Sequence, residues 1–182
     1  MKKANPLPIK AIIGLGNPTF EFQETYHNLG ANLVDFLTQE RNPNFKKPAS
    51  KNFCYLKKGK LILIKSLVFM NQSGEAVKEA LSYFKLKPQE IALAHDDSDI
   101  FLGNYKIAFD QRSAGHKGVQ SVIDSLKTQE FWRIKIGIRP EKERIRQKAQ
   151  ELVLKKISSK NQEILKEVFE KIFSFFKLKL ED

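Results

Sequence analysis

Ile9-Lys10-Ala11-Ile12-Ile13-Gly14-Leu15-Gly16-Asn17-Pro18 is the stretch that decides the fold class. Residues 9–15 are apolar apart from Lys10, rich in isoleucine and too short for a helix, so they read as a buried strand bounded by Pro8 and Gly16. A helix follows, because Leu29, Leu33, Phe36 and Leu37 fall on one face, and Asn42-Pro43-Asn44 stops it. A buried strand leading into an amphipathic helix is the opening of an α/β unit.

The rest of the chain keeps that alternation. Residues 53–57 and 60–65 read as an antiparallel hairpin across Lys58-Gly59. Asn71 or Ser73 can cap a helix whose Val77, Ala80, Leu81 and Phe84 make an apolar stripe ended by Pro88. Residues 91–94 return as a short buried strand that runs into the polar His95-Asp96-Asp97-Ser98-Asp99. A strand over 105–109, a helix marked by Val119, Val122, Ile123 and Leu126, and a strand over 132–138 complete the sheet. Residues 140–148 are too charged to pack and read as a mobile loop. Residues 161–178 read as a C-terminal core helix, with Ile164, Leu165, Val168, Phe169, Ile172, Phe173 and Phe176 at helical spacing. With no repeats or linkers, residues 1–182 form a single α/β domain, its sheet mixed because of the hairpin.

Composition narrows the function classes. At 41% hydrophobic residues, including 14 Phe, the chain can fill one core. Its longest apolar runs, such as Leu61-Ile62-Leu63-Ile64, are far short of a membrane span, and Pro6, Pro8 and Lys10 interrupt any signal-peptide core. The single Cys54 cannot form an intrachain disulfide and fits a cytoplasmic protein. Against 21 acidic residues stand 32 basic ones, a net charge of +11. That excess fits either a polyanionic partner or a lysine-rich solvated surface.

Sites in such sheets form outside the carboxyl ends of strands. Three polar groups fall there or just beyond: Asn17 with His27, Met70-Asn71, and His95-Asp96 with Asp97 and Asp99. If they converge, Asp96 can hold the proton on one nitrogen of His27 and leave the other as a base toward water. Asn17 and Asn71 then offer uncharged amide donors for a carbonyl or a water. No serine or cysteine sits in a nucleophile elbow, which favours direct attack by water.

Each residue also has a plainer role open to it. A lone histidine near a helix start is often a cap or a packed side chain, the aspartates can shape a turn, and Met70 can belong to the core. Gly14-Leu15-Gly16 begins like a dinucleotide fingerprint, but Thr19 stands where the third glycine belongs. A metal hydrolase built on His27, His95, His116 and the aspartates lacks the HxH or HExxH spacing of such sites.

Taken in order, Gly14-Leu15-Gly16-Asn17-Pro18, Thr25-Tyr26-His27-Asn28-Leu29-Gly30, Phe69-Met70-Asn71-Gln72-Ser73-Gly74, His95-Asp96-Asp97-Ser98-Asp99, Ala114-Gly115-His116-Lys117-Gly118 and Arg133-Ile134-Lys135-Ile136-Gly137 resemble the motifs of bacterial peptidyl-tRNA hydrolases. The likeness runs from about Ile9 to the final helix. It implies a three-layer sandwich, with a twisted, mostly parallel mixed sheet between helices. It also implies hydrolysis of the ester joining a peptide to the 3′ end of tRNA, by a monomer that needs no metal or organic cofactor. By position, His27 resembles the catalytic base and Asp96 its partner. Asn17, Phe22, Met70, Asn71, His116 and Lys117 resemble the substrate-binding residues, and Lys106 and Lys135 the cations that grip tRNA phosphate.

The chain departs from that pattern at several positions. Thr19 replaces a glycine, Phe22 a tyrosine, Tyr26 an arginine and Lys117 an asparagine, and Asp110-Gln111-Arg112-Ser113 stands in a loop the family makes of glycine. A glycine is also missing between Ile138 and Arg139. The altered loop keeps one alternative open, a non-catalytic RNA-binding module on the same fold, beside the less favoured metal-dependent hydrolase.

Overall fold

Four-residue β1 (Ala11–Gly14) lies near the middle of a six-stranded sheet in the computed structural model, which describes residues 7–140 and 152–181. The other strands are β2 (Phe53–Lys58), β3 (Leu61–Ser66), β4 (Ile91–Phe101), β5 (Tyr105–Phe109) and β6 (Trp132–Arg139), in the order β2-β3-β1-β4-β6-β5. The central four run parallel, and β2 and β5 close the two edges antiparallel. Residues 141–148 of the charged stretch expected to be a loop lie outside the described residues.

Alternation along the buried strands splits the core in two. Ile12, Ala92, Ala94, Ile134 and Ile136 face one layer, made by α1 (Leu29–Leu37) and α4 (Ser159–Glu181). Ala11, Ile13, Ile91 and Leu93 face the other, made by α2 (Ser73–Phe84) and α3 (Lys117–Leu126). The three-layer α/β sandwich is thus observed. The C-terminal helix buries Leu165, Val168, Phe169, Ile172, Phe176 and Leu180 on one stripe, as its spacing requires. Lys179 pins its far end, donating to the carbonyls of Leu7 and Ile9 at 2.8 Å each. No helix among the described residues is long and apolar enough to cross a membrane.

Three local expectations are corrected. The hairpin turns one residue later, at Gly59-Lys60, with Gly59 at φ +54°. Neither Asn71 nor Ser73 caps α2: Gln72 takes the cap position without a side-chain bond, and the Ser73 hydroxyl donates back to the Met70 carbonyl at 2.8 Å. Most consequential, β4 does not stop at residue 94. It continues through the polar cluster, with Asp96 and Asp97 paired to Ile136 and Gly137 of β6. Continued pairing with β6 satisfies that backbone, so polar side chains do not end the strand.

β1 ends at Gly14, opposite Ala94, so β4 outlasts it and leaves one side of its carboxyl half without a strand. The start of α1 fills that gap at very close range. Leu15 N donates to the Ala94 carbonyl at 3.0 Å, and Ala31 N to the Leu15 carbonyl at 2.9 Å. A Cβ on Gly30 would fall on the Ala94 carbonyl oxygen. Because backbone, not a rotatable side chain, meets that carbon, Gly30→Ala should cost about 1–3 kcal/mol. It should lower Tm by several degrees in a thermal melt; an unchanged Tm would contradict the close approach.

Candidate active site

Asp96 is the first of the site residues to be fixed, because the sheet itself carries it. It is 2% exposed, and its Oδ1 accepts from two rings at once: Nδ1 of His27 at 2.9 Å and Nε2 of His116 at 3.1 Å. Burial is the largest influence on its carboxyl and alone would raise its pKa. The His116 and His27 rings outweigh it and hold the group below the usual carboxylate range, so it stays ionised.

The tautomers follow from their partners. His116 caps α3, its Nδ1 accepting from Val119 N at 3.3 Å, so its proton sits on Nε2 and points at Asp96. An ionised carboxylate only accepts, so Nδ1 of His27 donates to it. That leaves Nε2 as the nitrogen of His27 not engaged by Asp96, on a ring that lines the cleft. His95 donates through Nδ1 to the backbone carbonyl of Asp96 at 2.7 Å and lies edge-on to His116, ring centroids 4.8 Å apart. Burial, with the adjacent His116, pushes the His95 imidazole down to about 3, so it is neutral and packs as a wall. Two of the three histidines of the chain thus meet on one carboxylate, and the third backs them from the Asp96 backbone.

The turn carrying His27 is short, a single 3-10 turn over Tyr26–Asn28 with no side-chain cap. Asn28 ties it to the end of β1: its Oδ1 accepts from Asn17 N at 2.9 Å and its Nδ2 donates to the Asn17 carbonyl at 3.0 Å. Asn17 in turn accepts from Met70 N through Oδ1 at 2.9 Å, which leaves its amide NH2 as the donor for the cleft. Met70 is buried, under Gly118 of α3, whose absent Cβ makes room for its sulfur. Asn71 is exposed on the cleft wall. The three sequence clusters do converge.

Their meeting point opens to solvent as a cleft of about 830 Å³ with an apolar side at Phe69, Met70, Val153 and Leu154. A shallower hollow of about 960 Å³, over Asp35, Arg41 and Phe45, gathers no comparable set of reactive groups. The loop from 110 to 116 bounds the cleft, with Asp110 and Ala114 at φ +51° and +50° and Gly115 at +83°. Arg133, wholly buried beneath it, donates through Nη1 to the Arg112 carbonyl at 2.9 Å. Burial lowers that guanidinium to about 10, and it remains charged at neutral pH. Two of the left-handed positions are not glycine, and the buried cation ties the loop at the Arg112 carbonyl between them.

The remaining expected residues divide. Lys117 is exposed at the first turn of α3 and lines the cleft; Lys106 is exposed on β5. Lys135, directly across from Lys106, is mostly buried and bound to Asp97 at 2.7 Å. Phe22 is half-buried in the turn Phe20–Phe22 and does not line the cleft. Sequence reasoning missed the bond from His116 to Asp96 and the brace from Asn28; that so few histidines stand in three separate motifs was the available signal. His27, Asp96 and His116 place ligand atoms within 4.8 Å of one another, a set that can hold a metal ion. An ion there would displace both ring protons from Asp96, and the one on His116 would have to move to Nδ1, where Val119 N already donates.

Comparison with known proteins identifies the family and the fold. The family model for Peptidyl-tRNA hydrolase matches residues 11–182. A peptidyl-tRNA hydrolase of Persephonella marina is 43% identical over 74% of this chain and 72% of its own length. One from Mycoplasma mycoides is 34% identical over 88% and 87%. The crystal structure of the Acinetobacter baumannii peptidyl-tRNA hydrolase superposes with a TM-score of 0.82 at 25% identity, covering 97% of this chain and 91% of that one. Motifs, sheet order and the match across nearly the whole chain coincide, and the chain belongs to the peptidyl-tRNA hydrolase family.

Proposed function

We propose that His27 is the general base with which this chain hydrolyses the ester between a peptide and the 3′ end of tRNA. The observation that carries this is the shared oxygen of Asp96, which fixes the His27 tautomer beside the Asn17 amide in an open cleft. Water lies between Nε2 and the ester carbonyl carbon. As its oxygen bonds to that carbon, its proton passes to Nε2, and Asp96 stabilises the imidazolium that forms. Asn17 and Asn71 donate to the carbonyl oxygen as it becomes an oxyanion. The carbon–oxygen bond to the ribose then breaks, and the proton on Nε2 goes to the departing ribose oxygen. Products are a free peptide acid and a tRNA with its hydroxyl restored.

An ester leaves more readily than an amide, so a base and two amides suffice without a covalent intermediate. Lys106 and Lys117 receive the tRNA phosphates; Lys135 serves beneath them, committed to Asp97. Met70, with Phe69, Val153 and Leu154, receives the peptide side. Phe22 stays outside this set. We read the enzyme as a monomer of the cytoplasm, where the single, buried Cys54 remains a thiol. Membership of the family disfavours the non-catalytic module.

His27→Ala should cut the rate on peptidyl-tRNA by roughly 10²-fold or more in a tRNA-release assay, and an unchanged rate would reject the assignment. Asp96→Asn, which loses the tautomer lock, should cost roughly 10²- to 10⁴-fold in kcat. Its stability should report the same carboxyl. The folded value lies below the ordinary one, so the stabilisation is full above the ordinary carboxylate range and fades as pH falls below it. The Tm gap between wild type and Asp96→Asn should therefore hold from about pH 7 to about pH 5 and narrow as the pH falls below about 4. Lys106→Ala should weaken binding and lower the salt dependence of log affinity by about 1, and an unaltered slope would remove Lys106 from the phosphate contact. Turnover should survive EDTA; its loss would favour the metal-dependent reading.

A further inference from the structure

His27 is braced on both sides by neighbours in its own turn. Asn28, after it, is tied to Asn17 at the end of β1. Tyr26, before it, buries its ring in the core that α1 and α4 share, 6% exposed. A buried phenol needs a polar partner. Its hydroxyl finds one 135 residues away, accepting from Nδ2 of Asn161 at 2.7 Å in the first turn of α4. Two backbone contacts run alongside: Ile157 N donates to the Glu24 carbonyl at 2.8 Å, and Thr25 bridges to Lys156.

The same short segment also faces substrate, for Val153 and Leu154 form the apolar side of the cleft a few residues before Ile157. One stretch of chain therefore supplies the peptide wall and the strut for the base. We infer that Tyr26 and Asn161 are a positioning pair for the hydrolysis, holding the His27 turn in register with Asp96 and with the wall of the cleft. Neither touches the reacting atoms; both act through His27, and the inference rests on His27 being the base. A 3-10 turn of three residues with no side-chain cap has little stiffness of its own. If the strut is released, the ring keeps its place in the chain but loses its angle to water, which is a loss in turnover and not in binding.

Steady-state kinetics on peptidyl-tRNA with four variants test this, each first checked by a thermal melt. Tyr26→Phe keeps the packed ring and removes only the hydroxyl. Asn161→Ala removes the donor. Each should lower kcat by about tenfold and leave KM within about twofold. The double variant should fall no further than the worse single, since both break one bond. Asn161→Asp should recover most of the turnover, because the tyrosine hydroxyl can then donate to the new carboxylate, a rescue that a general packing role would not give. A kcat for Tyr26→Phe within about twofold of wild type, a loss confined to KM, or losses that multiply in the double variant would each overturn the pair. His27→Ala, measured alongside, separates the two readings. If it abolishes turnover while Tyr26→Phe is silent, only the pair falls; if it is itself silent, the base falls and the pair with it.

Discussion

One carboxylate oxygen organises this site. Oδ1 of Asp96 accepts from His27 and His116, and a single acceptor with two ring donors fixes both tautomers together. The His116 bond matters because α3 decides it. Val119 N occupies the other nitrogen, so His116 cannot turn its lone pair toward Asp96. The helix cap thus commits one ring as donor and keeps the carboxylate ionised, and the ionised carboxylate commits the other ring to offer its base outward. Burial, which alone would favour the protonated acid, makes the two donors necessary.

The sheet makes that oxygen available. β1 stops after four residues while β4 runs on for eleven, so Asp96 has β6 on one side and an open flank on the other. Into that flank come the start of α1 at Gly30, the Asn17–Asn28 amide pair and the His27 ring that the same turn carries to Asp96. Gly14 and Gly30 are the reason the helix can come so near, each lying where a Cβ would strike backbone of the facing segment. The geometry of the candidate site and the packing of the core therefore share the same glycines.

Periodicity made the elements legible. The unbroken apolar run from Ala11 to Ile13 was readable as a strand buried on both faces, and the stripes of α2 and α4 were readable because burial repeats at the helical period. The end of β4 was not readable, since pairing with β6 is non-local and His95-Asp96-Asp97 looks like a loop in one dimension. Convergence of Asn17, His27, Asn71 and Asp96 was inferable from strand ends. The bond from His116 was not, because it depends on where α3 begins. Lys135 shows the same limit from the charge side: its position was foreseeable, but its ion pair with Asp97 needs the register of β4 on β6.

The loop from 110 to 116 has a visible physical cost. Asp110 and Ala114 occupy left-handed backbone that glycine would adopt freely. Backbone bonds brace the two ends, Asp110 N to the Phe131 carbonyl at 3.4 Å and His116 N to the Ser113 carbonyl at 3.0 Å, and Arg133, the only fully buried cation among the described residues, takes the Arg112 carbonyl between them. Asp110 and Asp97 lie near enough to oppose the desolvation of that guanidinium. The arrangement exchanges flexibility for a fixed wall. A wall braced by a buried charge leaves Lys117 and His116 at one place in the cleft, so less order would have to be created when a ligand enters it.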